Sequence, residues 1–444
     1  MNYLTCVAVA AALVCLEPAG ALAEEPDAPP RYIEAFAIQG LFSKSDIDEY
    51  KKAANQRLQC NGDRHVKSIA RNNLAVWQWH CGEYKEALAN LNEAIQLAPG
   101  TFGVYYSNRG MTYRALGRYD EAIQDYERAL ESPNRPVARL AQANMGWLLL
   151  LQSQTDLDAS RRQELLARAE ELLQAATEKS AETAENAPFI PLAWINLAAL
   201  RLTQHKVDAA EVCLKQVQEW TNDNEGKLKQ FPADYQCYLL NQGEVERCGN
   251  RWQEARKLYQ AAYDLGNNAF VPRPPPYVAG PPAAKENPLI LQRLGAAEFV
   301  LKNYGEAQSH LEEAAKRYGP EKPAGRYALL LCAVAKAHRH GQYVIEIPEA
   351  VAEHDTPRRW TDGLFWHLAG KWNDKALADA ACDPNDRIEK TKRGEAAFYR
   401  ALKCRLEGNT RAAEDLFKTC VNQCEETSLE HTMAKGLRES AEAP

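Results

Sequence analysis

Small and large apolar residues recur at helical spacing along most of the chain, and the pattern restarts at intervals. In Asn73–Ala94, Ala75 is followed by Gly82, Tyr84, Ala87, Leu91 and Ala94. In Asn108–Ala129, Gly110 is followed by Gly117, Tyr119, Ala122, Tyr126 and Ala129. Ala87, Leu91 and Ala94 stand at i, i+4 and i+7, one face of an α-helix. Gly82 and Gly117 lie between two such faces, where a tight turn needs backbone angles that glycine reaches without strain. Pro99 and Pro133 close the second helix of each stretch. The pattern predicts antiparallel helix pairs, with small residues at the close approach and large ones filling the gap.

Further copies follow. Trp194-Ile195-Asn196-Leu197-Ala198 with Ala210, Leu214 and Val217 is one; Asn241-Gln242-Gly243 with Trp252, Ala255, Tyr259 and Ala262 is another. Leu294-Gly295 with Tyr304, Ala307, Leu311 and Ala314, and Ala401 with Gly408, Ala413 and Phe417, continue the series. Asn144-Met145-Gly146 with Ala169, Leu173 and Ala176 reads as a degenerate copy, its interhelix turn lengthened around Ser153–Arg162. Gly82 and Gly117 are 35 residues apart, close to the ~34-residue period of the tetratricopeptide helix–turn–helix repeat. The chain resembles the tetratricopeptide repeat (TPR) family on these residues. The resemblance implies an all-α solenoid of helix–turn–helix repeats, here ending in a helical C-terminal module. Each pair cannot bury its apolar face alone, and stacking supplies the continuous core.

The organisation expected along the chain is a signal peptide over 1–23, then a linker and capping helix over 24–60. A TPR array over 61–265, a proline-rich connection over 266–288, a further TPR-like repeat over 289–345 and a C-terminal helical module over 346–444 follow. Leu4 to Leu16 is apolar, and Ala21-Leu22-Ala23 before Glu24 has the small-x-small form of a cleavage site. The expectation is a periplasmic or secreted protein cut after Ala23. The apolar stretch is shorter than the ~20 residues of a membrane span. Pro272, Pro274, Pro275, Pro276, Pro281 and Pro282 mark an extended segment, either a linker or a strap laid on the solenoid.

Charge narrows the partners. Lys and Arg total 53 against 60 for Asp and Glu, a net charge of −7. Removing 1–23 takes away one acid, Glu17, and leaves −7 + 1 = −6. With no basic stripe, nucleic acid is not an expected partner. Twelve cysteines include Cys6 and Cys15 in the leader, so ten remain. Two readings stay open for them: disulfides, which an exported protein favours, or buried small apolar side chains. Cys60 and Cys81 would end antiparallel helices roughly 20 Å apart, too far to bond. Cys404 with Cys420 or Cys424 is the pairing expected, since their helices face each other.

The C-terminal third has its own resemblance. Pro357-Arg358-Arg359-Trp360, Leu364-Phe365-Trp366-His367-Leu368-Ala369-Gly370, Phe398-Tyr399, Gly408–Phe417 and Leu429-Glu430-His431 occur in an order similar to the C-terminal half of NlpI-type periplasmic TPR lipoproteins. That resemblance implies an adaptor at the outer membrane that brings proteases and peptidoglycan hydrolases together. The chain departs from the type in lacking the lipid-attachment cysteine and in carrying more repeats and a proline-rich insertion.

No phosphate-binding loop, His-Glu-x-x-His or Gly-x-Ser-x-Gly motif is present. The expectation is a protein that is not an enzyme and carries no cofactor or metal. His338 and His340 point to different sides of a helix and read as a solvated helix end. Cys420, Cys424 and His431 offer three soft-metal ligands without a fourth. In the TPR family the first helix of each pair lines the concave groove. Carried over by position, the groove residues are Asn72, Val76 and Trp79, then Ser107, Met111 and Arg114. Ile195, Ala199 and Leu202, then Gln292, Ala296 and Phe299, complete the set. Trp79 and Phe299 have an alternative role in packing against a neighbouring repeat. The expected function is an exported scaffold or adaptor binding proteins or peptides in that groove, in envelope or cell-wall processes. The alternatives are glycan binding through Trp360, Trp366 and Trp372, or a metal-dependent activity in the C-terminal module.

Overall fold

The computed structural model describes residues 63–98, 103–155, 158–178, 191–223, 232–268, 287–341, 345–348 and 359–442, with residue 228 and most of 51–59. The expected leader, Cys60, Pro99 and most of the proline-rich connection lie outside the described residues. Among the described residues there is no strand. The first helices are α1 (Arg64–His80), α2 (Tyr84–Leu97), α3 (Gly103–Ala115), α4 (Tyr119–Leu130), α5 (Arg135–Thr155) and α6 (Ala159–Thr177). Then come α7 (Pro191–Thr203), α8 (Val207–Asp223), α9 (Pro232–Cys248), α10 (Trp252–Asn268), α11 (Pro288–Val300) and α12 (Tyr304–Tyr318). The last are α13 (Pro323–His340), α14 (Trp360–Leu368), α15 (Asp374–Ala381), α16 (Asp386–Leu406), α17 (Thr410–Gln423) and α18 (Leu429–Glu442).

One spacing governs the helix pairs. A small residue on the first helix marks the close approach, and sixteen positions later a large side chain of the second helix covers it. A methyl group added at Gly110 would come within 2.7 Å of the Tyr126 ring, and one at Gly295 within 2.6 Å of Leu311. Gly243 faces Tyr259 in the same way. Seven positions after the small residue, the chain turns left-handed. Glycine does this at Gly82 (φ 79°), Gly117 (φ 74°) and Gly408 (φ 79°). His205 (φ 60°), Asn250 (φ 61°) and Lys302 (φ 64°) adopt the same conformation at the same place, at a cost of about 1 kcal/mol each. The next amide reaches back five residues and closes the helix end. Arg118 N donates to Tyr113 O at 2.9 Å, and Asn303 N to Glu298 O at 2.8 Å.

The same spacing uncovers a short pair that sequence analysis did not single out. Gly363 on α14 is followed by a left-handed Gly370 (φ 75°), and Lys371 N donates to Trp366 O at 2.8 Å. It also corrects the degenerate copy. Gly146 approaches Leu173, with an added methyl 2.7 Å away, but the two are 27 residues apart instead of sixteen. The extra residues lengthen the helices: α5 has 21 residues and α6 has 19. The first helix ends at Thr155 and the second begins at Ala159, so the lengthening expected in the turn lies in the helices. Asp158 caps α6 by accepting from Arg161 N at 2.7 Å.

The described helices group into two compact units, with the division inside the run 61–265 that the sequence reads as one array. The first unit holds α1–α6, residues 191–200 of α7 and residues 212–223 of α8. Ile69, Ala94, Val104, Tyr105 and Val137 join α1, α2, α3 and α5 in one apolar cluster. Arg109, where a TPR often carries an apolar residue, is held by Asp125 through two bonds of 2.6 and 2.7 Å and by Asn92 at 2.9 Å. The second unit holds Arg201–Glu211, Gln236–Asn267 and α11–α18. In it Leu291, Ala314, Ala315 and Ala328 tie α11, α12 and α13 together.

Candidate interaction surfaces

In the first unit, the residues assigned to a groove are mostly taken into the interior. Asn72, Val76, Ser107, Met111 and Ile195 are all buried. The first helices of successive pairs close up on each other: Asn108 Nδ2 donates to Asn72 Oδ1 at 2.8 Å, and Ser68 and Tyr105 hydroxyls meet at 3.0 Å. The part of the expected set that retains exposed surface is Trp79, Arg114 and Ala199. Trp79 packs edge-on against Tyr84 at 5.8 Å, within its own pair. Ser107, Met111 and Arg114 fall at i, i+4 and i+7, so they share one helix face. The Ser107 hydroxyl and the Arg114 Nε are buried and have no hydrogen-bond partner among the described residues. Burial pushes the Tyr126 phenol up to about 12, even with Arg114 beside it.

The second unit treats the same positions differently. Gln292 and Phe299 are buried here too, and residues 294–300 of α11 are buried without a break. A helix buried on every side needs neighbours on every side, and α11 packs against α12, α13 and α18. Phe299 sits edge-on to Tyr304 (5.3 Å) and His338 (5.6 Å), while Tyr304 and His338 stack at 4.8 Å. His338 is thus part of an aromatic cluster, not the solvated helix end the sequence suggested. Burial, with Arg405 nearby, lowers it to about 4.

The expected groove set leaves out the pair α9–α10. The offsets that pick out Ser107, Met111 and Arg114 from Gly110 pick out Leu240, Glu244 and Arg247 from Gly243. Those offsets are the signal that would have found them. Arg247 is 2% exposed; its Nη atoms bond the start of α18, while its Nε has no hydrogen-bond partner among the described residues. Nη1 donates to Ser428 O at 3.1 Å and to Thr432 Oγ1 at 2.6 Å, and Nη2 to Thr427 O at 2.9 Å. Nη2 also pairs with Glu244 at 2.6 Å. Glu244 in turn accepts from the Tyr259 hydroxyl at 2.7 Å and from Arg293 Nε at 2.9 Å. Burial alone would raise the Glu244 carboxyl, but Arg247 and Arg293 outweigh it and hold the group at about 2.

Farther along, α18 is held on both sides. Gly436 lies so close to the Trp252 indole that a methyl group there would overlap Nε1. Asn250 bonds Glu439, Arg405 Nη2 donates to Leu437 O at 2.7 Å, and Arg438 pairs with Glu414 at 2.5 Å. Before the helix, His205 Nδ1 meets Thr427 Oγ1 at 2.7 Å, and its Nε2 lies 3.3 Å from Glu425.

Two carboxyl groups, one on α16 and one on α18, neighbour each other. Glu395 on α16 accepts from Tyr327 OH at 2.7 Å and Trp360 Nε1 at 2.6 Å. Burial, and then the neighbouring Glu430 of α18, push it up to about 7. Burial raises Glu430 as well, against Arg293 and Arg247.

The remaining candidates fall as follows. Cys404 and Cys420 carry free thiols, and the thiol next to Cys420 is Cys424, at 3.7 Å. The expected Cys404–Cys420 bridge is not formed, because Cys420 is turned to its own helix end. Cys213, Cys332, Cys420 and Cys424 are buried, as small apolar side chains are. Among the described residues no three His, Cys, Asp or Glu side chains are grouped to hold a metal ion. Trp360 is spent on Glu395, while Trp366 and Trp372 pack edge-on at 6.4 Å. No described helix is long and apolar enough to cross a membrane.

Residues 104–131, which make up the pair α3–α4, match the family model of the tetratricopeptide repeat. The chain carries tetratricopeptide repeats. It is 32% identical over 108 residues to the small glutamine-rich tetratricopeptide repeat-containing protein of Dictyostelium discoideum, covering 23% of this chain. That match spans about a third (32%) of the relative's length. Among solved structures, the chain is similar to Pseudomonas aeruginosa pilF at 15% identity, with a TM-score of 0.38 over 63% of this chain and 97% of that one. It is similar to yeast Tom70 at 13% identity, with a TM-score of 0.33 over 90% and 92%. The family match lies outside the C-terminal third, so the NlpI-type likeness of that region is not established by it. TPR chains are protein-interaction scaffolds in general, and this one has the helix pairs for that role.

Proposed function

We propose that the protein is an exported scaffold that takes up a partner protein or peptide on the inner face of its first unit, in an envelope or cell-wall process. The observation that carries the reading is the pair Ser107 and Arg114. Both present buried polar atoms without a described partner, and the counterpart of Arg114 in the second unit, Arg247, grips a helix. Leaving a buried donor unmade costs about 1–3 kcal/mol, and a ligand that supplies the acceptor recovers it. Trp79 would add aromatic area beside them. Export is supported by the apolar Leu4–Leu16 run and the Ala21-Leu22-Ala23 site.

Cross-linking in cells followed by mass spectrometry tests the reading. Partners should cross-link near Trp79 and Arg114 in the unaltered chain and fade in Trp79→Ala/Arg114→Ala. Equal recovery from both would remove the first unit's inner face as the site. Recovery of a mature protein starting at Glu24 from the extracytoplasmic fraction checks export; a retained leader in the cytoplasmic fraction would refute it.

A further inference from the structure

We propose that α18 is a ligand the chain supplies to itself, seated in the peptide-binding positions of the second unit and closing that face to other molecules. The inference rests on the reading that these repeat positions face a ligand, but not on the first unit's particular partner or on export.

Three observations carry it. Glu244 and Arg247 occupy the offsets from Gly243 that Met111 and Arg114 occupy from Gly110, so α18 sits on the side of α9 where a ligand would sit. The grip is of the kind used for a ligand helix. Arg247 reads two backbone carbonyls just ahead of the helix and one hydroxyl in its first turn. Ser428 O also accepts from Thr432 Oγ1 at 3.0 Å, so Arg247 reads the residues that lead into this helix and not a feature common to every helix start. The partners are also distant in sequence, 180 to 189 residues apart. The α16–α17 side adds Arg405 on Leu437 O and Glu414 on Arg438. The occupant defines the chemistry of the seat: a helix entering with Thr-Ser, a hydroxyl at the position of Thr432, and a glycine where Nε1 of Trp252 approaches the backbone.

Gly436→Ala in the full chain tests this. The added methyl overlaps the Trp252 indole, while alanine favours the helix itself, so seating is weakened and helix formation is not. The probe is a fluorescent synthetic peptide spanning 425–442. The unaltered chain should take up the peptide at least tenfold more weakly than Gly436→Ala, whose seat is vacated. Gly436→Ala with Arg247→Met should lose that uptake again by tenfold or more. Loss of the whole second unit's helicity in Gly436→Ala would make α18 an integral part of the core and overturn the proposal. A released α18 with no peptide uptake would overturn it too. Should α18 stay seated in the variant, hydrogen exchange on the unaltered chain decides. Amides of α18 should open well before those of α9 and α11, and simultaneous exchange would sink the idea. A dimer with exchanged α18 helices would overturn the intramolecular assignment.

Discussion

Arg114 and Arg247 each stand four residues after a close-approach glycine on the first helix of a pair, and they meet opposite fates. Both keep a buried Nε without a described partner, but Arg114 retains some exposed surface, whereas Arg247 is buried and its Nη atoms bond a helix and Glu244. The difference does not lie in the pairs themselves, whose turns and seams follow one spacing. It lies in whether another segment of the chain arrives at the inner face. A repeat position therefore tells which way a side chain points, and only the rest of the fold tells what it meets.

The largest test of that contrast is the matched substitution. Arg247→Ala strips a buried pair and leaves Glu244 short of a cation, at a cost of about 4 kcal/mol. Arg114→Ala should cost under about 1 kcal/mol. Urea unfolding of the two variants, followed by far-ultraviolet dichroism, measures the gap; equal costs would erase the distinction between the units.

Next in size is a pH effect confined to the second unit. The Glu395 carboxyl is raised from its ordinary 4.5 to about 7, so the folded form binds its proton more tightly than the unfolded form. Its stabilisation is complete below about 4.5 and is lost as pH rises to about 7, a change of about 3 kcal/mol. Glu430, raised beside it, acts in the same direction. Glu395→Gln, which can still accept from Tyr327 and Trp360, should flatten the dependence. A slope unchanged in the variant would assign the effect to other groups.

Smaller effects probe the seams that the units share. Gly110→Ala or Gly295→Ala pushes a methyl into Tyr126 or Leu311 and should cost about 2 kcal/mol in either unit. Lys302→Gly relieves a left-handed lysine and should gain about 1 kcal/mol. Thermal midpoints check both, and a loss at Lys302→Gly would show that the lysine side chain contributes more than its backbone strain.

These seams also show what the sequence makes legible. Gly82 and Gly117 announce their turns because glycine is the usual residue there, while His205, Asn250 and Lys302 hide the same turn behind side chains. Counting seven from Ala198, Gly243 and Gly295 finds all three. The lengthened pair misled because Gly146 and Leu173 kept the seam while added turns moved its ends apart. Val76 and Ile195, expected in a groove, are buried, because exposure depends on how closely neighbouring helices pack and not on repeat position. Nothing local in Leu429–Glu442 signals a docking partner some 180 residues upstream, and neither Glu244 nor Arg247 differs in type from an exposed helix residue.

That separation has a consequence for the life of the molecule. At the ribosome's pace of about 5–20 residues per second, the stretch from Arg247 to Ser428 takes roughly ten to forty seconds to emerge. Throughout that interval Arg247 and Trp252 stand without α18, while the α11, α16 and α17 parts of its seat are still being made. Each newborn copy therefore passes through an early window of receptivity, and a competitor present at birth could capture a face that the mature molecule keeps to itself.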